Sequence, residues 1–358
     1  MITAYFVTCA NIPMPAHLYD WQKEINEIKE LNPDYLFVNC TTEYEPAYIF
    51  RTYISGLNDW LVENNKKLII FCSGPDGLEI TPNVILEKTY GYYIINYQSC
   101  KKELFEYENS QAVRIEPYQE TRAVKWFTCY NNNPKYERGL LVDQLAKNNL
   151  LQHGIVTFQF PERVQAPHNV TFSWNHHDGS RLIDEEDFVL NKTPEFIPNN
   201  FAKSYFNGFI DVVSESSFNT GNFFVTEKTC KPIVGLKPFM VLASENYHKN
   251  LVEDYGIELY DELFDYSFDS MPNINDRIQG IIDNLNRIVQ WDLSKIQEIH
   301  NILLPKMLYN RQKFLDYGSN KEKMVPKSLQ FLTETADYKL YGRGYEVMLT
   351  LMEPWLVK

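Results

Sequence analysis

The chain has 358 residues, a formal net charge of −13, and 44% hydrophobic against 23% charged residues. These proportions are those of a globular protein and exclude collagen-like, disordered and disulfide-framework classes. At roughly 150 residues per domain, the length suggests two domains. No apolar run reaches the ~18 residues of a membrane span. The N-terminal apolar stretch lacks the basic flank of a signal peptide and reads as a first strand. Six cysteines (Cys9, Cys40, Cys72, Cys100, Cys129, Cys230) form no CxxC pair, the pattern of reduced thiols in a cytoplasmic protein. The acidic surplus disfavours coating nucleic acid by bulk charge, though it leaves DNA open as a substrate.

Strands and helices alternate from the start. Apolar runs at 2–10, 35–40 and 68–73 read as strands, and segments 18–31 and 46–64 carry apolar residues at helical spacing. Further strands are expected at 90–96 and 112–117. Near-continuous apolar strands between helices signal parallel sheet covered on both faces. The pattern restarts with strands at 124–130 and 154–160 around a helix at 135–149. An irregular stretch, 161–200, precedes strands at 209–215 and 238–244. Helices are expected from Thr226, and at 245–255, 275–290 and 293–315. The amphipathic tail 344–354 is expected to pack back across the domains. The resulting division is an N-terminal domain 1–117, a second domain 118–335 and a C-terminal helical tail 336–358.

Residues 212–244, VVSESSFNTGNFFVTEKTCKPIVGLKPFMVLAS, carry the chemistry. A buried strand ends at Glu215, a polar loop with Asn219, Thr220 and Gly221 follows, and a helix opens at Thr226. Ligands of open α/β sheets bind outside the carboxyl ends of strands. The free N–H groups of a helix start suit a phosphate. Lys228 adds a positive charge there, Glu227 can accept hydrogen bonds from ribose hydroxyls, and Thr226 can cap the helix.

This run resembles the nucleotide-sugar-binding motif of the α-1,3-fucosyltransferases (glycosyltransferase family 10) and of fucosyltransferase-like proteins encoded by phages and bacteria. The matching parts are Glu215-Ser216-Ser217, Phe224-Val225-Thr226-Glu227-Lys228 and Gly235-Leu236-Lys237-Pro238-Phe239. A second block, 126–158, is similar to the family's strand–loop–Arg segment, with Arg138 at the position of the arginine that helps hold the donor diphosphate. The resemblance covers about 120 residues, 124–244.

It implies a GT-B fold, two Rossmann-like doubly wound domains facing a central cleft, with the donor held by the C-terminal domain. It also implies an inverting, metal-independent transfer from a nucleoside-diphosphate sugar, a co-substrate rather than a resident cofactor. On that basis Arg138 and Lys228 neutralise the diphosphate, Glu227 holds the ribose, and Glu215, Asn219, Thr220 and Thr226 shape the donor pocket. The base is implied to be a carboxylate of the N-terminal domain. Asp76 and Glu79 follow the strand at 68–73, and Glu43 and Glu45 follow the one at 35–40. None stands in the family's Glu-Ser-Pro context, and Asp76 lies in a Gly-Pro-Asp-Gly turn signature.

The acceptor is expected to be a glycan or a hydroxymethylated pyrimidine of phage DNA; nothing fixes the oligomeric state. Two rivals share the donor fold: a non-catalytic nucleotide-sugar-binding module and a GT-B-type epimerase. His176-His177-Asp178 has no third ligand at finger or zincin spacing. No D-x-D, GxGxxG or P-loop element is present. Asp261, Asp265 and Asp269, at intervals of four, are expected to form a solvated acidic face.

Overall fold

The computed structural model describes residues 1–8, 21–39, 56–72, 83–88, 125–131, 135–158, 205, 207–216, 218, 223–325, 327–342, 345, 349, 352 and 355–357. In chain order the first elements are β1 (Ile2–Thr8), α1 (Trp21–Leu31), β2 (Tyr35–Asn39), α2 (56–63), β3 (Leu68–Cys72) and β4 (Val84–Lys88). Then come β5 (Lys125–Asn131), α3 (Tyr136–Lys147), β6 (Gly154–Phe158), β7 (Gly208–Ser214), α4 (Glu227–Val234) and β8 (Phe239–Leu242). The last are α5 (Tyr247–Tyr255), α6 (Ile274–Ile288), α7 (Leu293–Ser319) and β9 (Tyr338–Gly342). The architecture is α/β with two parallel sheets, of five and four strands. Met1–Ile95 with Tyr317–Lys358 form one compact unit, and Asn96–Asp316 form the other. Among the described residues no helix is long and apolar enough to cross a membrane.

In the first unit the strand order is β4-β3-β2-β1-β9, every pair parallel. Side chains alternate across a strand. Tyr5, Val7, Leu36, Val38, Leu68 and Ile70 therefore share one face, buried with Ile25 and Ile28 of α1 and Leu57 and Leu61 of α2. On the opposite face Phe6, Phe37 and Phe71 form a ladder, with ring centroids 4.8 and 5.4 Å apart. Full burial of one such ring contributes about 1.5–3 kcal/mol.

The expected strands at 90–96 and 112–117 lie outside the described residues, and β4 occupies 84–88, where none was expected. β9 was also not expected. Its five residues, YKLYG, have no apolar run, yet Tyr338 to Gly342 pair with Ile2 to Phe6. The Met1 ammonium meets Asp337 at 2.8 Å beside this pairing. Gly342 has φ +85, and a Cβ there would strike the carbonyl oxygen of Phe6, so only glycine fits.

The second unit orders its strands β6-β5-β7-β8, all parallel. Strands β5 and β6 lie on one side and β7 and β8 on the other, so the order reverses between β5 and β7. Every residue of β7 is buried. Mid-sheet, the buried Lys237 Nζ donates to Thr128 Oγ1 at 2.7 Å and to the Tyr205 carbonyl at 2.8 Å. Thr128 Oγ1 and Tyr205 Oη in turn donate to the Asp211 carboxylate at 2.9 and 2.6 Å. Burial pushes Lys237 down to about 8, the charge of Asp211 opposing it.

The Asp261–Asp265–Asp269 series is not a uniform solvated face. Asp269 is buried and caps α5: its oxygens accept the His248 and Lys249 backbone N–H groups at 3.0 and 3.1 Å. It also bonds His248 Nδ1 at 2.7 Å, while His248 Nε2 accepts Val241 N–H at 3.0 Å. That second bond leaves Nε2 without a proton and makes Nδ1 the donor. Asn246, which precedes α5 with φ 61, makes no side-chain cap, so a residue 23 positions further on does its work.

His300 of α7 lies against the Phe209 ring at 5.8 Å. Burial pushes its imidazolium down to about 4, with the Asn301 side chain and the Leu236 backbone opposing. Its ordinary value is near 6.5, so the unfolded chain binds the proton first as pH falls. Stability from neutral His300 is therefore complete above pH ~6.5 and is lost toward pH ~4, by up to about 3 kcal/mol. Urea titrations at pH 7 and pH 4.5 should show a loss that His300→Leu diminishes; an equal loss in the variant would assign the acid sensitivity to other groups.

Candidate functional site

The loops that follow strand carboxyl ends at the order reversal carry three cations. Strand β7 ends in Ser214, and the chain continues through Glu215 and Ser216. From α3, across the reversal, Arg138 Nη2 donates to the Ser214 and Glu215 carbonyls at 3.4 and 3.0 Å. Lys135, which immediately precedes α3, donates from Nζ to the Ser216 carbonyl at 2.7 Å. From the first turn of α4, Lys228 Nζ reaches Ser216 Oγ at 3.1 Å and Thr226 Oγ1 at 3.4 Å. Arg138 is buried, whereas Lys135 and Lys228 are half-buried.

Glu215 anchors this arrangement and is wholly buried. Its Oε1 accepts Thr226 N–H at 3.1 Å, Thr229 Oγ1–H at 2.5 Å and Tyr247 Oη–H at 3.1 Å. Its Oε2 accepts Thr226 Oγ1–H at 2.6 Å and Ser216 N–H at 3.1 Å. Burial first, and then the charge of Glu215, hold the Tyr247 phenol well above its usual range, so it remains a donor. The carboxylate thus ties the end of β7 to the N-terminus of α4, where the helix dipole favours negative charge. Thr226 caps that helix by accepting Lys228 N–H at 3.3 Å.

At the other end of α4 the chain closes in a Schellman motif. Leu236 takes φ 53 and Lys237 N–H returns to the Pro232 carbonyl at 2.9 Å. The turn delivers Lys237 inward to its buried partners and starts β8. The loop after β7 is held further along by Arg277 of α6, whose Nη2 donates to the Phe218 carbonyl at 3.3 Å. Past that loop, Phe223 packs on Tyr247 and Tyr255 at 5.1 and 5.9 Å.

Of the expected site residues, Arg138, Glu215, Thr226 and Lys228 come together. Asn219 and Thr220, the carboxylates Asp76, Glu79, Glu43 and Glu45, and His176 to Asp178 lie outside the described residues. The backbone of Glu227 opens α4, but its side chain also lies outside them. Lys135 was not singled out from sequence. A lysine just before a helix, four residues beyond the end of a central strand, was the available signal.

Three cations and a helix N-terminus gather on Ser214–Ser216 at the carboxyl edge of the second sheet, where the Glu215 carboxylate accepts five hydrogen bonds. Such an edge suits an anionic ligand, above all a phosphate ester. No protein-family model, curated protein sequence or solved structure matches the chain.

Proposed function

We propose that the protein is an inverting, metal-independent glycosyltransferase of GT-B architecture that uses a nucleoside-diphosphate sugar. One observation carries the reading: Lys135, Arg138 and Lys228, from the segments that follow two adjacent strands, converge on Ser214–Ser216 at the strand-order reversal. Two parallel α/β sheets are what the GT-B plan requires, and the fucosyltransferase-like motif runs through the same residues.

In transfer, a carboxylate base, with Asp76, Glu79 and Glu43 as the candidates, removes the acceptor proton. The acceptor oxygen attacks the anomeric carbon from the face opposite the diphosphate, and the bond from that carbon to the phosphate oxygen breaks. Negative charge grows on the departing diphosphate. Lys135 and Lys228 neutralise it, with the α4 dipole adding to the field. Arg138, turned to main-chain carbonyls, holds the loop and adds its charge to the field. The acceptor class is a glycan hydroxyl or a hydroxymethylated pyrimidine.

A thermal-shift screen against GDP, UDP, ADP, CMP and their sugar conjugates tests the reading. Ligand at 100 times its Kd adds about 2.7 kcal/mol, on the order of a few degrees for domains of this size. One diphosphate family should shift the melting temperature, and the shift should shrink by half or more in Lys228→Ala. Absence of any shift with the wild-type protein would sink the proposal. Binding without sugar transfer to any acceptor would instead make the chain a nucleotide-sugar-binding module.

A further inference from the structure

Two oxygens at the carboxyl edge of the second sheet are buried and unpartnered: Asn131 Oδ1 and Ser214 Oγ. Asn131 is 1% exposed and Ser214 2%, and each is the last residue of its strand. The pairing of β5 with β7 runs to Thr128 and Asp211, and Asn131 and Ser214 each lie three residues beyond it on these adjacent strands. Period-two alternation puts both side chains on the same face, opposite to Thr128 and Asp211.

Cys129, two residues before Asn131, shares that face: burial drives the Cys129 thiol up to about 12, with the Asn131 side chain and Arg138 opposing the rise and Asp211 adding to it. Arg138 also holds the Ser214 carbonyl, and Lys135 and Lys228 hold Ser216, two residues on. Ser214 therefore lies beside the cation cluster, and Asn131 ends the neighbouring strand. The Asn131 amide is fixed in place, its Nδ2 donating to Cys129 Sγ at 3.3 Å and its backbone N–H to Thr157 Oγ1 at 3.1 Å.

An unpartnered buried oxygen is a standing cost to the fold. Its chemistry also discriminates between ligands. At neutral pH a diphosphate offers almost no protons and repels the amide oxygen, so the cations and Asn131 cannot serve the same group. Asn131 Oδ1 requires a donor next to the anion, and the Ser214 hydroxyl can give to or accept from that same group.

Resting on the nucleotide-sugar reading above, we propose that Asn131 and Ser214 form a hydroxyl-reading subsite, which takes a sugar hydroxyl of the phosphorylated ligand and makes the site selective against inorganic diphosphate. The desolvated pair gains its missing hydrogen bond only when a hydroxylated ligand arrives. A site built on polar groups discriminates most strongly in this way, because the wrong ligand leaves them unpaired.

Calorimetric titration with inorganic pyrophosphate, UDP, GDP, UDP-glucose and GDP-mannose tests this on the full chain, as wild type, Asn131→Leu and Ser214→Ala. Expected is a tenfold or greater loss of affinity for the best sugar-bearing ligand in Asn131→Leu, and a smaller loss in Ser214→Ala. Pyrophosphate affinity should stay within twofold. The melting temperature of the free Asn131→Leu protein should hold or rise, since an unpartnered buried oxygen is removed at the loss of only a weak bond to Cys129 Sγ; Ser214→Ala, the milder change, keeps the test open should Asn131→Leu misfold. Equal losses for pyrophosphate and sugar-bearing ligands, or lower melting temperatures in both variants without selective loss, would overturn the proposal and make the pair the seat of an internal water. Wild-type protein that binds pyrophosphate as tightly as every sugar-bearing ligand would overturn it while leaving the cation site intact. Wild-type protein that binds none of the five overturns the nucleotide-sugar reading itself, and this subsite with it.

Discussion

Alanine at both Lys135 and Lys228 is expected to abolish measurable binding of the nucleoside diphosphate while the protein stays folded. Each ammonium is half-buried at the carboxyl edge of the second sheet and donates within this loop cluster at 2.7 to 3.4 Å. A charge-assisted hydrogen bond to a phosphate contributes about 1.5–3 kcal/mol. Each single variant should therefore lose roughly 10- to 100-fold in affinity, and the pair roughly 10²- to 10⁴-fold. Neither lysine lies in the apolar core, so the melting temperature should fall by only a few degrees at most. Affinity of the wild type should also weaken as salt rises, because exposed charges are screened. Calorimetry at two ionic strengths measures both effects. A double variant that binds within threefold of wild type would show that the anion sits elsewhere.

The second large effect is on stability. Removing the Glu215 carboxylate as Glu215→Ala leaves five donors without their acceptor: Ser216 N–H, Thr226 N–H and Oγ1–H, Thr229 Oγ1–H and Tyr247 Oη–H. Each buried donor left unmade costs about 1–3 kcal/mol, so even with relaxation the total should exceed about 4 kcal/mol, an exceptional value for one substitution. The conservative Glu215→Gln keeps the shape but turns an amide N–H₂ toward donors, and should cost about half as much. Tyr247→Phe removes one donor of the five and should cost about 1 kcal/mol. Urea denaturation of the three variants should give that order. A Glu215→Ala protein within 1 kcal/mol of wild type would mean that α4 is held mainly by its apolar face, with the carboxylate a passenger.

These two expectations separate ligand-facing from fold-holding residues within one motif. Lys228 and Glu215 lie 13 positions apart in the chain and are linked through Thr226, whose hydroxyl donates to Glu215 and accepts from Lys228. A substitution at Thr226 would disturb both readouts together, which makes it a poor probe of either.

Much of this was legible from local pattern. The apolar runs at 35–39, 68–72 and 208–214 are strands because Leu36–Val38, Leu68–Phe71 and all of Gly208–Ser214 find covered faces in parallel sheets. Thr226 announced a helix start because a hydroxyl at that position satisfies a free N–H group. The convergence of Arg138, Glu215, Thr226 and Lys228 followed from placing their loops at strand ends. The role of Glu215 as a saturated anchor was not visible, since its partners come from α4 and α5 as well as the adjoining loop.

Local sequence determined most of the apolar strands and the Thr226 cap of α4, because those depend on neighbours a few residues away. Tertiary structure decided the rest. It seated the mostly polar β9 beside β1, more than 300 residues earlier, where backbone pairing and a glycine at 342 outweigh the lack of an apolar run. It made Asp269 the cap of α5 and Lys135 a member of the cation cluster. It also brought Asn131 and Ser214, the last residues of two adjacent strands, to the same sheet edge. Such groups gain their meaning from partners distant in sequence, and burial in the fold sets whether a charge is solvated or must be bonded.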